Sequence, residues 1–564
     1  MAITALPFVY DEASNYLTPE YTSAFSPELQ SACEDSIYLS GYLRHVPMDI
    51  IGVPDFYEKP PRSLGDAEEP NLIYPIGEGL YIHIYPDLNG ARHHYVCVEP
   101  IVVTKIDHLM PQIEEYLVDW AEQIGEIEDK EEKRALLLKI IDNLCTTQRA
   151  APNGKRSKVQ KLVVTPQEME AIRYLVLRDK IGLGVLQPLL LDPFIEDISC
   201  SGVGNIFIEH KVFGSVTSSI YFTTHDEVDD FAVWLGEWIK HPVTVRNPLV
   251  DAVLPDGSRI NIVYGREISK RGSNFTIRKA GGKPISVLQL IEFGSLTYMM
   301  ASYISFMLEE HLNMFVVGAT ASGKTTLLNA LNTFLKPDDK IVTIEDTPEV
   351  HVPHANWVQE VTRHMGAESK GGEVGMFELL RAALRQRPDR IIVGEIRSVE
   401  AVVAFQAMQT GHGVISTFHA ASVEKLIQRL TGHPISIPKT YIDNLNLAVI
   451  QSAVRLPNGK PARRTVSINE IIGYDPVTDS FSFLEAFRWN PATDEFEFPG
   501  YMNSYLLEQV IAIKRGIPPH KRKAIYSEVK RRAKIFEKLH KEKGITDYDE
   551  FFQILAEARK QGLL

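Results

Sequence analysis

Hydrophobic and polar residues alternate along the chain in two spacings, which predict buried strands and amphipathic helices. In residues 286–420, short apolar runs such as MFVVGA, KIVTIED, RIIVGEI and GVISTFH end at turn or polar residues, as buried strands do. Helical stretches separate these runs. Strands that alternate with helices predict a parallel sheet with helices on both faces, which is an α/β fold.

The chain before residue 286 has a different pattern and predicts two further regions. Residues 161–285 predict a small α+β domain, with helices at PQEMEAIRYLVLRDKIG and DEVDDFAVWLGEWI and strands at SRINIVYG and SNFTIRKA. Residues 1–160 mix strand-like runs, LYIHIYP and HHYVCVEPIVV, with the charged helical stretch EDKEEKRALLLKIIDNL. They end at APNGKRSK, which predicts a linker. The third domain, 286–564, includes a helical tail from about residue 500.

Length and charge limit the class of protein. A chain of 564 residues with 44% hydrophobic residues is too long for one core and can bury several. Residues 1–150 hold 10 Lys and Arg against 26 Asp and Glu, which disfavours general polyanion binding and favours a solvated surface or a basic partner.

Cysteine usage and the start of the chain indicate the compartment. Four widely spaced cysteines predict neither a disulfide framework nor a zinc cluster, and they fit a reducing, intracellular environment. The first residues lack the basic and apolar regions of a signal peptide, and no run approaches the length of a membrane span. We therefore expect a soluble protein, which could still dock on a membrane protein.

The segment GATASGKT, residues 318–325, fits the phosphate-binding pattern GxxxxGK[ST] between a predicted strand and a predicted helix. Its glycines allow the loop to wrap around phosphates, so that backbone N–H groups and the helix N-terminus point at them. Lys324 is expected to reach the β- and γ-phosphates, and the Thr325 hydroxyl is expected to hold Mg²⁺. The nucleotide-binding residues predicted here are Gly318, Ala319, Thr320, Ala321, Ser322, Gly323, Lys324, Thr325 and Thr326.

Two predicted strands end in carboxylates that could position water or metal. The first ends in Glu345 and Asp346, with Glu349 just beyond, and the second ends in Glu395. The second strand resembles a Walker B strand, but Gly394 stands where an Asp would ordinarily coordinate the metal through water. Glu395 is then the carboxylate of its own strand, and the Glu345 and Asp346 pair is expected to polarise water or hold Mg²⁺. Which carboxylate is the general base stays open.

A fourth predicted strand, in TGHGVISTFHA, has a histidine at each end. His412 precedes the strand and His419 ends it. Lone histidines are more often structural than catalytic. Two that bracket a strand beside a phosphate site are candidates for sensing the γ-phosphate and transmitting its loss.

Taken in order, GATASGKT, IEDTPE, RPDRIIVGEIR and TGHGVISTFHA resemble the Walker A, Asp box, Walker B and His box of the secretion and type IV pilus assembly ATPase superfamily. This superfamily includes the type II and Vir-type secretion ATPases. DPFIEDISCSGVGNIFIEHKVFG and LPDGSRINIVYG look like its N-terminal domain, whereas residues 1–160 lie outside the resemblance. FTIRKA, ALRQRPDRIIVGEIR and the tail favour the archaeal branch, which includes the archaellum motor ATPases.

The resemblance implies a RecA-like P-loop NTPase domain, preceded by a PAS-like α+β domain and assembled as a homohexamer that uses ATP and Mg²⁺. It further implies a motor that acts on a polytopic membrane platform protein, and through it on pilin-like subunits, from the cytoplasmic face of the cell membrane. Arginines of the N-terminal domain cover the ATP in this family, and the matching region here carries Arg259, Arg266 and Arg278. The catalytic candidates are Lys324, Glu345, Glu395, His412, His419, Arg259 and Arg278; Arg266 is assigned to nucleotide binding, and Thr325, Glu345 and Asp346 to the metal.

Two other functions stay open. One is a nucleic-acid translocase or helicase, because RecA-like rings also pump DNA; the other is a scaffold in which ATP only orders the ring. The segment 514–543 holds 12 Lys and Arg, but aromatic residues are sparse in it, so we interpret it as a solvated helical face and expect no nucleic-acid partner. The motifs do not separate a pilus from an archaellum or a secretion system.

Overall fold

The computed structural model describes residues 3, 4, 6–9, 14–61, 64, 65, 67–88, 90, 92–147, 161–363 and 374–563. The predicted linker APNGKRSK lies outside the described residues. The chain divides into two compact units, Met1–Ala280 and Gly281–Leu564. Within the described ranges, no helix is both long enough and apolar enough to cross a membrane.

The first unit combines short helices with a large, mainly antiparallel sheet. Its helices are α1 Pro19–Thr22, α2 Pro27–Asp35, α3 Ile37–Leu43, α4 Met48–Ile51, α5 Pro100–Val103, α6 Met110–Val118, α7 Ala121–Glu126, α8 Lys130–Leu144, α9 Pro166–Lys180, α10 Gln187–Leu191 and α11 His225–Trp238. Its strands are β1 Ile3–Thr4, β2 Asp55–Phe56, β3 Leu72–Gly77, β4 Leu80–Tyr85, β5 His94–Val98, β6 Cys145–Thr146, β7 Leu162–Val163, β8 Ile195–Cys200, β9 Gly204–His210, β10 Gly214–Phe222, β11 Leu249–Val253, β12 Arg259–Val263 and β13 Asn274–Arg278.

The main sheet of this unit runs β11-β12-β13-β8-β9-β10-β5-β4-β3-β2, with β1 also paired to β10. Strands from both sides of residue 160 meet where β10 and β5 pair in parallel, with Thr217 opposite His94. The sheet is therefore continuous across the boundary predicted at residue 160, while the division into three domains stays a prediction.

Burial in β12 and β13 follows the two-residue period of a strand. Ile260 and Ile262 of β12 are buried, as are Phe275 and Ile277 of β13, whereas the residues between them are more exposed. Successive side chains of a strand point to opposite faces of the sheet. The predicted strands SRINIVYG and SNFTIRKA are confirmed, and their arginines lie away from the core.

The second unit alternates strands and helices as predicted. Its helices are α12 Val287–Glu292, α13 Tyr298–Glu309, α14 Lys324–Leu331, α15 Met376–Ala383, α16 Glu400–Gln409, α17 Val423–Thr431, α18 Ala512–Lys514, α19 Ile525–Lys541 and α20 Tyr548–Lys560, and a π-helix spans Leu506–Ile511. Its strands are β14 Met314–Val317, β15 Ile341–Glu345, β16 Trp357–Val361, β17 Arg390–Ile396, β18 Gly413–Phe418, β19 Leu447–Arg455, β20 Pro461–Asp475, β21 Ser480–Asn490 and β22 Glu495–Glu497.

The sheet of this unit runs β16-β15-β17-β18-β14-β19-β20-β21-β22 and is parallel from β16 to β19. Met314 and Val316 of β14 pack on one side with α13, α14 and α19, and Phe315 and Val317 pack on the other side with α15, α16 and α17. β18 lies between the strand before the phosphate loop and the carboxylate strand β17, which is the RecA-like order. The predicted parallel sheet with helices on both faces is confirmed.

The helical tail belongs to the core of the second unit. Glu309 at the end of α13 is buried, and its carboxylate lies 2.8 Å from Arg532 Nη1 of α19 and 2.9 Å from Arg559 Nη2 of α20. The interpretation of residues 514–543 as one solvated face is therefore incomplete. Lys530 and Lys534 are exposed, but Arg532 between them is buried against Glu309.

Candidate active site

The phosphate loop connects β14 to α14, as the motif requires. Gly323 has φ 90° and Ala321 has φ 60°, so the loop enters the helix through left-handed backbone that glycine adopts at little cost. A Cβ atom added at Gly318 would lie 2.1 Å from the carbonyl oxygen of Gln451 on β19. No side chain fits there. The glycine therefore lets the loop pack directly against β19.

Lys324 begins α14 and is buried, with its ammonium group folded over the loop. Its Nζ donates a hydrogen bond of 2.9 Å to the carbonyl of Ala319 and lies 3.5 Å from His419 Nε2. Burial lowers the pKa of Lys324, and the Glu395 carboxylate opposes that shift. The Lys324 ammonium group thus lies inside the loop, where the phosphates of a nucleotide would compete with the Ala319 carbonyl for its hydrogen bonds.

Glu395 stands at the carboxyl end of β17, beside the end of β18. Its Oε1 lies 2.6 Å from His419 Nε2, and its Oε2 accepts a hydrogen bond of 2.8 Å from Arg397 Nε. Burial lowers the pKa of His419, while Glu395 raises it and Lys324 lowers it further. The parallel strands therefore bring Lys324, Glu395 and His419 together in one cluster at the edge that carries the phosphate loop.

Glu345 ends β15 and is 1% exposed. Its Oε1 accepts backbone hydrogen bonds from Glu349 at 2.8 Å and Val350 at 2.7 Å. Burial raises the pKa of its carboxyl to about 7, even though these bonds act in the other direction. One oxygen of Glu345 is thus committed to holding the turn that follows its own strand.

The glycine of the Walker B strand has a steric explanation. A Cβ atom at Gly394 would lie 3.0 Å from Glu345 Cγ, closer than side-chain atoms normally approach. The side chain of Glu345, from the neighbouring strand, therefore fills the volume that an aspartate at position 394 would need. An acidic group is present beside β17, but β15 supplies it.

Asp346 follows Glu345 and is oriented by two side chains. Its Oδ1 accepts a hydrogen bond of 3.2 Å from Thr362 Oγ1, and its Oδ2 lies 3.8 Å from Arg397 Nη1. Arg397 therefore lies between the two carboxylate strands, with Glu395 on one side and Asp346 on the other.

The residues of the loop fit a polyphosphate with a hard cation. Gly323 turns the loop into α14 through left-handed backbone, Lys324 supplies a positive charge, and Thr325 places a hydroxyl in the first turn of α14. Among the described side chains, no three His, Cys, Asp or Glu come together as a metal site. Mg²⁺ commonly uses one or two protein oxygens together with substrate phosphates. Thr325 and Asp346 are the groups suited to hold it.

His412 does not join this cluster within the second unit. It precedes β18, whereas the phosphate loop and His419 lie at the carboxyl edge of the sheet, about 20 Å away for a six-residue strand. Its Nδ1 lies 3.0 Å from Thr410 Oγ1 at the end of α16. Within this unit His412 and His419 therefore bracket β18 from opposite edges of the sheet, because parallel strands send their two ends to opposite edges, and the role of His412 toward the phosphates stays a prediction.

The three arginines expected to cover the nucleotide belong to the first unit. Arg259 is exposed and binds Asp251 of β11, with its Nε 3.0 Å from Oδ1. Arg278 lies opposite Arg259 in the β12–β13 pair. Arg266 follows β12, and its Nη2 lies 3.1 Å from Asp226 Oδ1. All three are surface arginines of this unit, and their role toward a nucleotide stays a prediction.

Several residues around the loop were not selected from the sequence. Arg463 of β20 donates from Nε to the carbonyl of Ala321 at 3.1 Å, and Gln451 packs against Gly318. Arg429 of α17 donates to the carbonyl of His419, and its guanidinium lies 5.1 Å from the centre of the Phe418 ring. These residues lie outside every motif, and only the strand order could have indicated β19 as the neighbour of the loop.

A scan against family models matches residues 179–470, a little more than half of the chain, to the family described as type II/IV secretion system protein. The uncharacterized protein MJ0900 of Methanocaldococcus jannaschii is 42% identical over 548 residues, which cover 95% of this chain and 97% of that protein. That similarity therefore extends beyond the matched family domain and includes the N-terminal region.

Proteins named VirB11 show similarity over a shorter region. VirB11 of Rhizobium radiobacter is 31% identical over 272 residues, which cover 42% of this chain and 77% of that protein. The crystal structure of the VirB11 ATPase from the Brucella suis type IV secretion system, in complex with sulphate, aligns with 52% of this chain and 93% of its own. Its identity is 25% and its TM-score is 0.26, which is too low to support a conclusion by itself. The family match and the near full-length relative suffice: the chain belongs to the type II/IV secretion system protein family, as its four ordered motifs predicted.

Proposed function

We propose that this protein is an ATPase motor of a secretion or pilus-type system. The observation that carries the proposal is the cluster at the carboxyl edge of the second sheet, where Lys324, Glu395 and His419 meet beside a glycine-lined phosphate loop. Binding of phosphates accounts for the loop and the lysine. The clustered carboxylate and histidine supply what hydrolysis requires in addition.

Glu395 is the general base in this proposal, and Glu345 supports it. Glu395 is 19% exposed at its side chain, so it is more accessible to a water molecule at the loop than Glu345, which is 1% exposed. Glu345 is almost fully buried and holds two backbone N–H groups. A base must reach the proton that it accepts. When bound with ATP, Mg²⁺ would neutralise phosphate charge, and Thr325 and Asp346 are the residues proposed to hold it.

The proposed work of the enzyme is mechanical. Six copies form a ring, and Arg259, Arg266 and Arg278 of the first unit cover the nucleotide so that hydrolysis changes the position of that unit. Guanidinium groups suit this role because they offer paired donors to phosphate oxygens and keep their charge. Each of these arginines lies on an exposed surface, where its present partner can be exchanged for a phosphate.

The motion is proposed to act on a polytopic membrane platform protein at the cytoplasmic face of the membrane and to drive assembly of a type IV pilus-like filament, an archaellum or a secretion apparatus. The description of the matched family as type II/IV secretion system protein supports this class of task. Pilin-like subunits would be moved through the platform and not by direct contact.

The test is ATP hydrolysis by the purified full-length chain with and without Mg²⁺, with mass followed by light scattering. We expect Mg²⁺-dependent turnover by a hexamer. Lys324→Ala should abolish nucleotide binding, because it removes the charge inside the loop. Glu395→Gln should keep binding but lower kcat by about 100-fold or more, which is the usual range for loss of a general base.

Matched controls lie on α17 of the same unit. Glu424 and Lys425 are exposed residues outside the cluster, so Glu424→Gln and Lys425→Ala should retain wild-type turnover. Binding without turnover in the wild-type hexamer would contradict the motor and support a scaffold. Turnover that survives Glu395→Gln would exclude Glu395 as the base and point to Glu345 or Glu349.

A further inference from the structure

The hairpin of β19 and β20 borders the phosphate loop on the side opposite β18. β19 pairs with β14 in parallel and places the carbonyl of Gln451 against Gly318. β20 then places Arg463 at the tip of the loop, where its Nε donates to the carbonyl of Ala321 at 3.1 Å. A segment about 140 residues beyond the motif thus contacts the loop twice.

Ala321, the loop residue that Arg463 contacts, has an energetically unfavourable backbone conformation. Ala321 has φ 60°, a left-handed conformation that residues with a side chain adopt only at a cost. Residues 319–321 are exposed, so packing contributes little to holding them. The aliphatic part of Arg463 also lies beside the loop, since a Cβ atom at Gly323 would be 3.2 Å from Arg463 Cδ. Arg463 therefore supports the loop at its least buried point.

The direction of the peptide group explains why this contact matters for a ligand. In a trans peptide the C=O and the following N–H point in opposite directions. With the carbonyl of Ala321 turned toward Arg463, the N–H of Ser322 turns toward the loop interior, where it donates a hydrogen bond with an N···O distance of 3.4 Å to the carbonyl of Ala319. The Lys324 ammonium binds the same carbonyl oxygen. The hydrogen bond from Arg463 therefore directs the Ser322 N–H into the same part of the loop as the Lys324 ammonium group.

The two residues that follow Arg463 in β20 are fixed by hydrogen bonds, so the arginine is held on a rigid support. The next residue, Arg464, is buried and binds Asp494 through Nε at 2.8 Å and Nη2 at 2.9 Å. Thr465 donates a hydrogen bond of 2.9 Å to Gln451 Oε1. A residue that must hold another group in place benefits from a support of this kind.

We propose that Arg463 is a positioning residue of the nucleotide site, which acts through the Ala321 carbonyl to keep the Ser322 N–H aimed at the phosphates of a nucleoside triphosphate. This inference rests on the proposed nucleotide site. It adds Arg463, which lies outside the four motifs, to the residues of the site, and it proposes that Arg463 raises the affinity for nucleotide.

The test is the dissociation constant of a fluorescent ADP analogue and of its ATP counterpart for the full chain, with Arg463→Ala and Arg463→Lys. Loss of a hydrogen bond from a charged donor should raise Kd about tenfold. Arg463→Lys should not restore affinity, because lysine keeps the charge but lacks a donor at the Nε position. KM for ATP should rise by a similar factor, with a smaller change in kcat.

The matched control is Arg455→Ala. Arg455 ends β19 in the same hairpin, and its Nη1 donates to the carbonyl of Gly459 at 3.3 Å, away from the loop. Its Kd should equal that of the wild type. The melting temperature of the nucleotide-free protein should be the same for all four proteins, since a purely structural role of Arg463 would lower it.

The outcomes separate this inference from the proposed function. Wild-type affinity in Arg463→Ala, restored affinity in Arg463→Lys, or a lowered nucleotide-free melting temperature would each overturn the positioning role. Lys324→Ala tests the site itself: if it loses binding while Arg463→Ala keeps it, only the present inference fails. If the wild-type chain binds neither nucleotide, both fail together.

Discussion

In the first unit, the buried carboxylates of Asp192 and Glu99 bind donors from other elements, whereas Glu345 and Glu395 of the second unit lie at the carboxyl ends of strands beside a phosphate loop. Asp192 accepts hydrogen bonds of 2.7 Å from both Tyr74 and Tyr95 hydroxyls, and Glu99 lies 3.1 Å from Arg178 Nη1. These bonds join residues from both sides of position 160. Such carboxylates are satisfied by permanent partners and stabilise one arrangement of the chain.

Glu345 and Glu395 of the second unit have different surroundings. Glu345 is buried among few charges, and burial raises its pKa to about 7. Glu395 lies between His419 and Arg397, two groups that can change partners. The comparison teaches that burial of an acid does not mark a site by itself. What distinguishes Glu395 is that both of its partners, His419 and Arg397, lie at the edge of the sheet that carries the phosphate loop.

The largest effect is expected from giving β17 the aspartate that its motif lacks. Gly394→Asp would place a second carboxylate against Glu345, where even a Cβ atom is 3.0 Å from Glu345 Cγ. Crowding and the burial of an unpaired charge should lower the stability of the second unit by about 3 to 5 kcal/mol. Thermal unfolding of purified protein measures the loss.

The compensating variant combines Gly394→Asp with Glu345→Ala, so that β17 supplies the carboxylate in place of β15. Because this double variant removes the clash, it should recover at least half of the lost stability. Gly394→Ala is the matched control and should cost clearly less than the aspartate. Equal melting temperatures for Gly394→Asp and the wild type would refute the steric account of this glycine.

A smaller effect is expected from the pH dependence that Glu345 creates. The folded protein holds this proton up to about pH 7, whereas the group's ordinary pKa is 4.5. Between these values the folded state binds more protons than the unfolded state, so stability falls as pH rises. Glu345→Gln should remove this fall and be more stable than wild type at pH 8 by about 3 kcal/mol.

The measurement is the difference in melting temperature between pH 5 and pH 8 for both proteins. Glutamine keeps an oxygen that can accept the N–H groups of Glu349 and Val350, so the comparison isolates the charge. Glu424→Gln on α17 is the matched control and should follow the wild type. A fall of the same size in Glu345→Gln would assign the pH dependence to other groups.

The smallest stability effect is expected in the first unit. Arg259→Ala removes an exposed pair with Asp251 and should change the melting temperature by less than the equivalent of about 1 kcal/mol. If Arg259 covers the nucleotide, turnover should nevertheless fall at least about tenfold, which corresponds to one hydrogen bond from a charged donor. Asp251→Ala removes the same pair but not the arginine, and it should keep turnover.

The sequence predicted the second unit more completely than the first. The strands β14, β15, β17 and β18, the loop at Gly318 and the cluster of Lys324, Glu395 and His419 follow from local motifs, because parallel strands bring their carboxyl ends to one edge. The strands β16 and β19 to β22 were not predicted. His412 precedes β18, as the motif indicated, and its role toward the phosphates stays a prediction. In the first unit, HHYVCVEPIVV predicted strand throughout, but β5 ends at Val98 because Pro100 begins a helix.

What the sequence could not predict depends on contacts between distant segments. Arg463 reaches the phosphate loop only because β19 pairs with β14, and no local pattern indicates that register. Arg532 lies in a strongly basic segment, where composition favours a solvated face, yet its partner Glu309 is buried on another helix. The pairing of charges across hundreds of residues is a tertiary property, which hydrophobic periodicity does not encode.

The Glu309 cluster also has a consequence for the synthesis of the chain. Glu309 lies near the start of the second unit, and its partner Arg559 follows 250 residues later. A ribosome adds about 5 to 20 residues per second, so Arg559 is synthesised on the order of ten seconds or longer after Glu309. During that interval the unit has its nucleotide loop but not the closing helices. Chaperones that shield apolar surface are therefore expected to engage the nascent chain after the loop has emerged.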